Sequence, residues 1–301
     1  MFWCCSDRRA EMLLLATMAI ALPCLGQSVR PLPAAAFAYD ARLPLDIQIS
    51  SVEKRDGVEI RDVTYRSLTG GRTAAYLVGP PDGRKCAGVL FVHWYAEKPD
   101  SNRTQFLSQA IELAPKGVRS LLIETMWSPA NWFEHRNPAD DYDNSIQQVK
   151  DLRRALDVLA AQPDVDPRRI AYVGHDFGAM YGAVLAGVEA RRVCAWAFQA
   201  GASSFSTWYL LGRKLSPDER QAVVDKLAPL DPVLYVAAAA PSPVLFQFAR
   251  GDFFVTEDAA KALFAAAREP KSILWYDTDH GMKGKAVADR QQWLTEKLHP
   301  R

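Results

Sequence analysis

From residue 58 onward the chain alternates between two hydrophobic periods. Residues 58–67 and 74–78 are rich in β-branched and aromatic side chains and flank Gly70-Gly71, which reads as a hairpin. Residues 87–95 (AGVLFVHWY) are apolar almost without interruption, as expected of a strand covered on both faces. A helix is predicted over 103–115, ended by Gly117, with a strand over 120–124 and an aromatic, polar loop over 126–141. Ile146, Val149, Leu152, Ala155, Leu156 and Leu159 then fall on one stripe close to the 3.6-residue period and predict a helix over 144–161. The stretch 163–167, with a proline at each end, should break it before a strand over 169–174. The small, apolar segment 177–188 reads as a deeply packed helix. Strands are predicted over 193–199, 243–248 and 272–276.

This alternation implies an α/β fold: a mostly parallel, eight-stranded sheet with helices on both faces and a hairpin at one edge. There is no internal repeat and no linker, so residues 57–301 should form one domain. Within it, 201–241 interrupts the alternation and reads as a short, lid-like helical cover. Residues 27–56 are rich in Pro and Ala without sustained periodicity and are expected to be a leader segment lying over the surface. Ahead of them, Arg8 and Arg9 precede an apolar run over 12–25, too short to span a bilayer. That order fits a signal peptide, residues 1–26, cut near Gly26-Gln27, and an exported protein with no membrane span in its mature chain.

Composition narrows the partners. Thirty-six basic and 35 acidic residues leave a net charge of +1, with no basic surplus for nucleic acid. A small-molecule substrate is the expected partner. Cys86 and Cys194 are the cysteines left after the signal; each reads as a buried thiol, and export also permits a disulfide between them. No His/Cys spacing suggests a zinc site and no dinucleotide fingerprint is present, so no cofactor or metal is expected.

The chemistry concentrates in DPRRIAYVGHDFGAM, residues 166–180. A strand runs into Gly174-His175-Asp176-Phe177-Gly178 and straight on into an Ala/Gly-rich helix. Small residues flank the central position because the turn is sharp and strand and helix nearly touch, which lifts Asp176 above the carboxyl edge of the sheet. The helix N-terminus directs N–H groups at the same point and should favour an ionised carboxylate there. Residues 57–298 resemble the α/β-hydrolase superfamily, in a branch similar to dienelactone hydrolases and prolyl-oligopeptidase-type esterases. That resemblance implies a triad in the chain order nucleophile, acid, histidine: Asp176 at the elbow, Asp252 in ARGDFFV and His280 in YDTDHGM. It implies oxyanion donors at the Phe177 amide and at the amide of Trp94 or Tyr95. Asp277 and Asp279 have a competing reading as caps of the final helix. His175 is expected to shape the elbow, while His93, His135 and His299 read as structural or surface residues.

Aspartate at the elbow resembles haloalkane dehalogenases and epoxide hydrolases and implies an Asp-His-Asp triad. A carboxylate has no proton to give up; its useful attack is on saturated carbon, forming an aspartyl ester that His280-activated water then opens. The primary expectation is therefore a cofactor-independent hydrolase of a small apolar substrate, of epoxide or haloalkane type. Tyr209 is a candidate acid for an opening epoxide, with aromatic packing as its competing role. Two alternatives stand beside this: a dienelactone-hydrolase-like carboxylic ester hydrolase, and an inactive binding protein on a hydrolase frame.

Overall fold

The computed structural model describes residues 29–55, 57–96 and 102–298. The segment expected to be a signal peptide lies outside these residues. Nine strands form one sheet in the order β1-β2-β3-β5-β4-β6-β7-β8-β9. Strands β1 (Gln48–Arg55), β2 (Val58–Arg66) and β3 (Arg72–Gly79) are antiparallel neighbours, and β3 runs antiparallel to β5 (Val118–Ile123). From β5 across β4 (Cys86–Val92), β6 (Val165–His175), β7 (Ala195–Gln199), β8 (Val244–Ala249) and β9 (Lys271–Tyr276) the pairing is parallel.

The central strands are buried along their whole length because helices cover both faces. After the short α2 (Trp132–His135), one face carries α3 (Asp141–Ala160), α4 (Phe177–Glu189) and α7 (Glu257–Ala266), whose apolar stripes join the larger core cluster. The other carries α1 (Leu107–Leu113) and α8 (Lys285–Leu298), which contribute Ala110, Leu113, Leu294 and Leu298 to a second cluster. Strand β4 pairs with β5 on one side and β6 on the other. The chain thus reverses its direction of travel across the sheet at β4. In an open parallel sheet, ligand sites form beyond the carboxyl ends of the strands at such a reversal.

Three sequence expectations differ from the structure. The sheet has nine strands, not eight, because residues 48–55 of the expected surface leader pair with β2. The leader also buries Phe37 completely. The preceding helix ends before 163–167 as expected, but the strand expected over 169–174 starts earlier: β6 begins at Val165, and Asp166–Arg169 bulge out where the register shifts opposite Cys86 and Gly88. A proline is tolerated in such a bulge because no ladder bond is asked of it. The helix expected over 103–115 is regular only from Leu107 to Leu113. Cys86 and Cys194, read as buried thiols, are both free, Cys86 buried and Cys194 partly so.

The interval 201–241 holds two short helices, α5 (Ser206–Tyr209) and α6 (Pro217–Leu227), followed by single turns. A capping box explains where α6 starts: Ser216 and Glu219 satisfy each other's backbone N–H groups, and Pro217 opens the helix. Among the described residues, no helix is long and apolar enough to cross a membrane.

Candidate active site

The carboxyl end of β6 delivers Asp176 at φ 55°, ψ −116°, a conformation that ordinary residues avoid. Two glycines make it attainable. A Cβ on Gly174 would lie 2.3 Å from the Gly178 carbonyl oxygen, and one on Gly178 would lie 2.2 Å from that of Val92. Strand β6, helix α4 and strand β4 therefore meet at backbone distance. The Asp176 N–H donates to the Gln199 carbonyl at 2.9 Å, anchoring the turn to β7.

Asp176 is fully buried. Its Oδ2 accepts the Tyr95 amide at 3.1 Å, while Oδ1 has no hydrogen-bond partner among the described residues. Burial raises its carboxyl to about 7, against the lowering effects of His280 and of the Tyr95 and Phe177 amides. The helix N-terminus alone suggested an ionised carboxylate; desolvation of a closed site is the larger effect.

His280 follows β9 and is nearly buried. Its Nδ1 lies 2.8 Å from Asp252 Oδ2, and its Nε2 is buried without a partner among the described residues. Asp252, after β8, is oriented by the amides of Phe254 and Val255, at 2.8 and 3.0 Å from its Oδ1. Burial works against the Asp252 charge, but the His280 contact and these amides outweigh it and hold the carboxyl below its ordinary value. Burial likewise pushes His280 down; the Asp252 bond and the Asp176 and Asp252 charges more than reverse it. Three residues 104 positions apart in the chain are thus electrostatically coupled in one buried cluster, with an acceptor-capable Nε2 and an open carboxylate oxygen.

The two candidate amides after β4 differ. Trp94 N–H donates to Gln105 Oε1 at 2.8 Å, so it is the Tyr95 amide that meets Asp176. The Trp94 indole packs against His175 (4.8 Å between ring centres) and nearly parallel to His280 (5.8 Å, 8°). Phe177 is buried at the centre of an aromatic cluster with Trp127, Trp132, Trp208 and Tyr209. Tyr209 joins that cluster by its ring, but its hydroxyl is 2.7 Å from that of Tyr181 and also near Ser145, within a buried hydroxyl network. Burial pushes it up to about 12. A hydroxyl committed there is not turned toward Asp176, and packing is the role this arrangement describes.

Of the competing acids, Asp277 lies 3.4 Å from Arg250 and Asp279 turns back onto the Gly281 amide. His93 is buried between the Trp94 carbonyl, Ser128 and Thr125, and desolvation lowers it to about 4. The sequence reading missed Gln105, which sits in a segment read as ordinary helix and carries no local signal. Among the described residues, no cluster of His, Cys, Asp and Glu could hold a metal ion.

No family model matches the chain. It shares fold with acetyl xylan esterase 1 from Thermoanaerobacterium sp. JW/SL YS485: 90% of this chain and 95% of that one superpose with a TM-score of 0.72, at 17% identity. This is an α/β-hydrolase fold. In sequence, the chain is 21% identical over 291 residues to polyketide transferase ATR5 of Stachybotrys chlorohalonatus, covering 79% of this chain and 95% of that protein. It is also 27% identical over 160 residues to the uncharacterised protein YfhR of Salmonella typhi, covering 49% of this chain and about half, 53%, of that protein. Asp176 sits at the sharp turn between β6 and α4, and Asp252 and His280 lie on the loops after β8 and β9.

Proposed function

We propose that this chain is a cofactor-independent hydrolase of a small, largely apolar carboxylic ester. The observation that carries hydrolysis is the buried cluster of Asp252, His280 and Asp176, in which a histidine oriented by one carboxylate is coupled to a second. The fold shared with an acetyl xylan esterase supports an ester as the bond cleaved. The aromatic cluster around Phe177 supports an apolar substrate.

The ester route follows from the electrostatic coupling of His280 and Asp176. Neutral His280 takes a proton from water through Nε2 as the water oxygen adds to the ester carbonyl carbon. Asp176, raised to about 7, in its protonated form donates from Oδ1 to the carbonyl oxygen as that oxygen becomes negative. On collapse the former carbonyl oxygen returns its proton to Asp176 as the C=O bond re-forms, the carbon–oxygen bond to the alcohol breaks, and the departing alkoxide takes the proton held by His280. Asp252 stays ionised throughout. Because Asp176 must keep its proton while His280, itself held above its ordinary value, must be neutral, the rate passes through a maximum and falls as pH rises beyond about 7.

A second reading has its own observation. The Tyr95 amide already holds Asp176 Oδ2 while Oδ1 is unpartnered, an arrangement suited to attack by Oδ1 on saturated carbon. The indole N–H groups of Trp94 and Trp208, whose rings flank His280, are buried without partners among the described residues and are available to a leaving group. This route needs Asp176 ionised, so its rate rises through about 7.

Turnover of a panel of small esters, epoxides and haloalkanes against pH, with single turnover in heavy-oxygen water, separates the readings. Ester cleavage that declines above neutrality, with label in the product acid alone, is the expected outcome. Label in the Asp176 carboxylate, with a rate that rises through neutrality, establishes the displacement route instead. No turnover by any substrate rejects both and leaves a binding protein on a hydrolase frame.

A further inference from the structure

Besides the reacting groups, the most fully determined polar contacts at this site belong to Gln105 and His175. His175 is wholly buried, and its Nε2 lies 2.9 Å from the carbonyl oxygen of His280. A carbonyl only accepts, so Nε2 carries the proton and Nδ1 is an acceptor. Nδ1 receives the Gln105 side-chain N–H at 2.5 Å. That sets the orientation of the Gln105 amide and leaves Oε1 to accept the Trp94 N–H at 2.8 Å. Each bond determines the direction of the next. Together they run from the loop carrying His280, across the end of β6, to the loop carrying Tyr95.

The charged groups acting on His175 all oppose a second proton. Burial is the largest influence, followed by His280 and by the Arg290 guanidinium, and together they hold His175 well below its ordinary value. Arg290 is itself buried against the side-chain oxygens of Gln199, Gln247 and Gln109, and Gln199 Nε2 lies 3.4 Å from His175 Nδ1. His175 is therefore kept as a neutral imidazole in one tautomer. The stacked Trp94 indole, which also lies against His280, holds the same three residues together on their apolar faces.

We propose that Gln105 and His175 are positioning residues: Gln105, held in one orientation by His175, engages the Trp94 amide and so presents the Tyr95 amide to Asp176, while tying that loop to His280. The inference rests on Asp176 and His280 being the reacting pair, but its test does not require turnover. Histidine nitrogen resonances and the Asp176 carboxyl carbon resonance are followed against pH in the full chain, with Gln105→Glu and Gln105→Leu alongside wild type. The carboxylate of Gln105→Glu accepts from Trp94 as before but has no N–H for Nδ1. The expected result is a proton drawn onto His175 Nδ1, with both ring nitrogens protonated near neutral pH. In Gln105→Leu the Tyr95 amide is no longer held toward Asp176, and the carboxyl should titrate higher than wild type by about 0.5–1 pH unit, since an amide bond to the charged form was lost. His175 remaining neutral in the same tautomer in Gln105→Glu, or Asp176 titrating as in wild type in Gln105→Leu, overturns the proposal. If Gln105→Leu does not fold, the near-isosteric Gln105→Glu decides alone. Failure of the hydrolase reading would appear separately, as absence of turnover with these resonances behaving as expected.

Discussion

At the scale of single residues, Asp176 sets function against stability. Its carboxyl is raised from 3.8 to about 7, chiefly by burial, so folding favours the protonated form. The resulting penalty is absent below the unfolded value, grows between it and about 7, and is complete above that. A shift of that size corresponds to a ceiling of roughly 4 kcal/mol at ~1.36 kcal/mol per unit. Asparagine keeps an oxygen for the Tyr95 amide, tolerates positive φ and carries no charge to desolvate. Asp176→Asn should therefore melt higher than wild type by about 2–8 °C at pH 8.5 and at the same temperature near pH 4. Equal melting at pH 8.5 would show that the carboxylate is not desolvated. The aspartate, its flanking glycines and the two loop residues were legible in the sequence because the elbow is a local device. Which of Trp94 and Tyr95 offers its amide was not, because Gln105, 10 positions beyond Tyr95, decides it.

At the scale of elements, the elbow depends on how closely α4 approaches β4 and β6. The approach is close enough that the Gly178 position has no room for a methyl group beside the Val92 carbonyl. Gly178→Ala should cost more than about 3 kcal/mol, beyond ordinary overpacking, because backbone rather than a flexible side chain must move. Thermal melting would read this as a fall of roughly 6 °C or more; an unchanged midpoint would mean that strand and helix can part without penalty. The periodic helix over 144–161 was readable from its apolar stripe and is observed as Asp141–Ala160. Strand β6 was misjudged at its start because Pro167 is a local breaker, whereas the bulge that accommodates it exists only opposite β4.

At the scale of the whole molecule, the N-terminal leader is a structural component of the fold. Phe37 is buried in the main core, and its carbonyl accepts from Arg153 of α3. The Tyr39 hydroxyl bonds Asp157 on that helix, and the Leu32 N–H bonds the Tyr235 hydroxyl beyond α6. Phe37→Ala should cost about 3–5 kcal/mol, the usual range for a buried phenylalanine. Denaturant unfolding would detect it as a lower midpoint at unchanged slope, and a cost under about 1 kcal/mol would return the leader to a surface strap. By itself the sequence determined the elements with strong periods, the parallel α/β class and the sharp strand–helix turn at Asp176, since each depends on residues close together in the chain. Tertiary structure alone decided that residues 48–55 join the sheet, that Phe37 is core, that the Tyr209 hydroxyl belongs to Tyr181 and that Asp176 is desolvated to a pKa of about 7. Those outcomes depend on what surrounds a residue once distant segments meet. At Asp176, that burial outweighs the helix N-terminus, which by itself favours an ionised carboxylate.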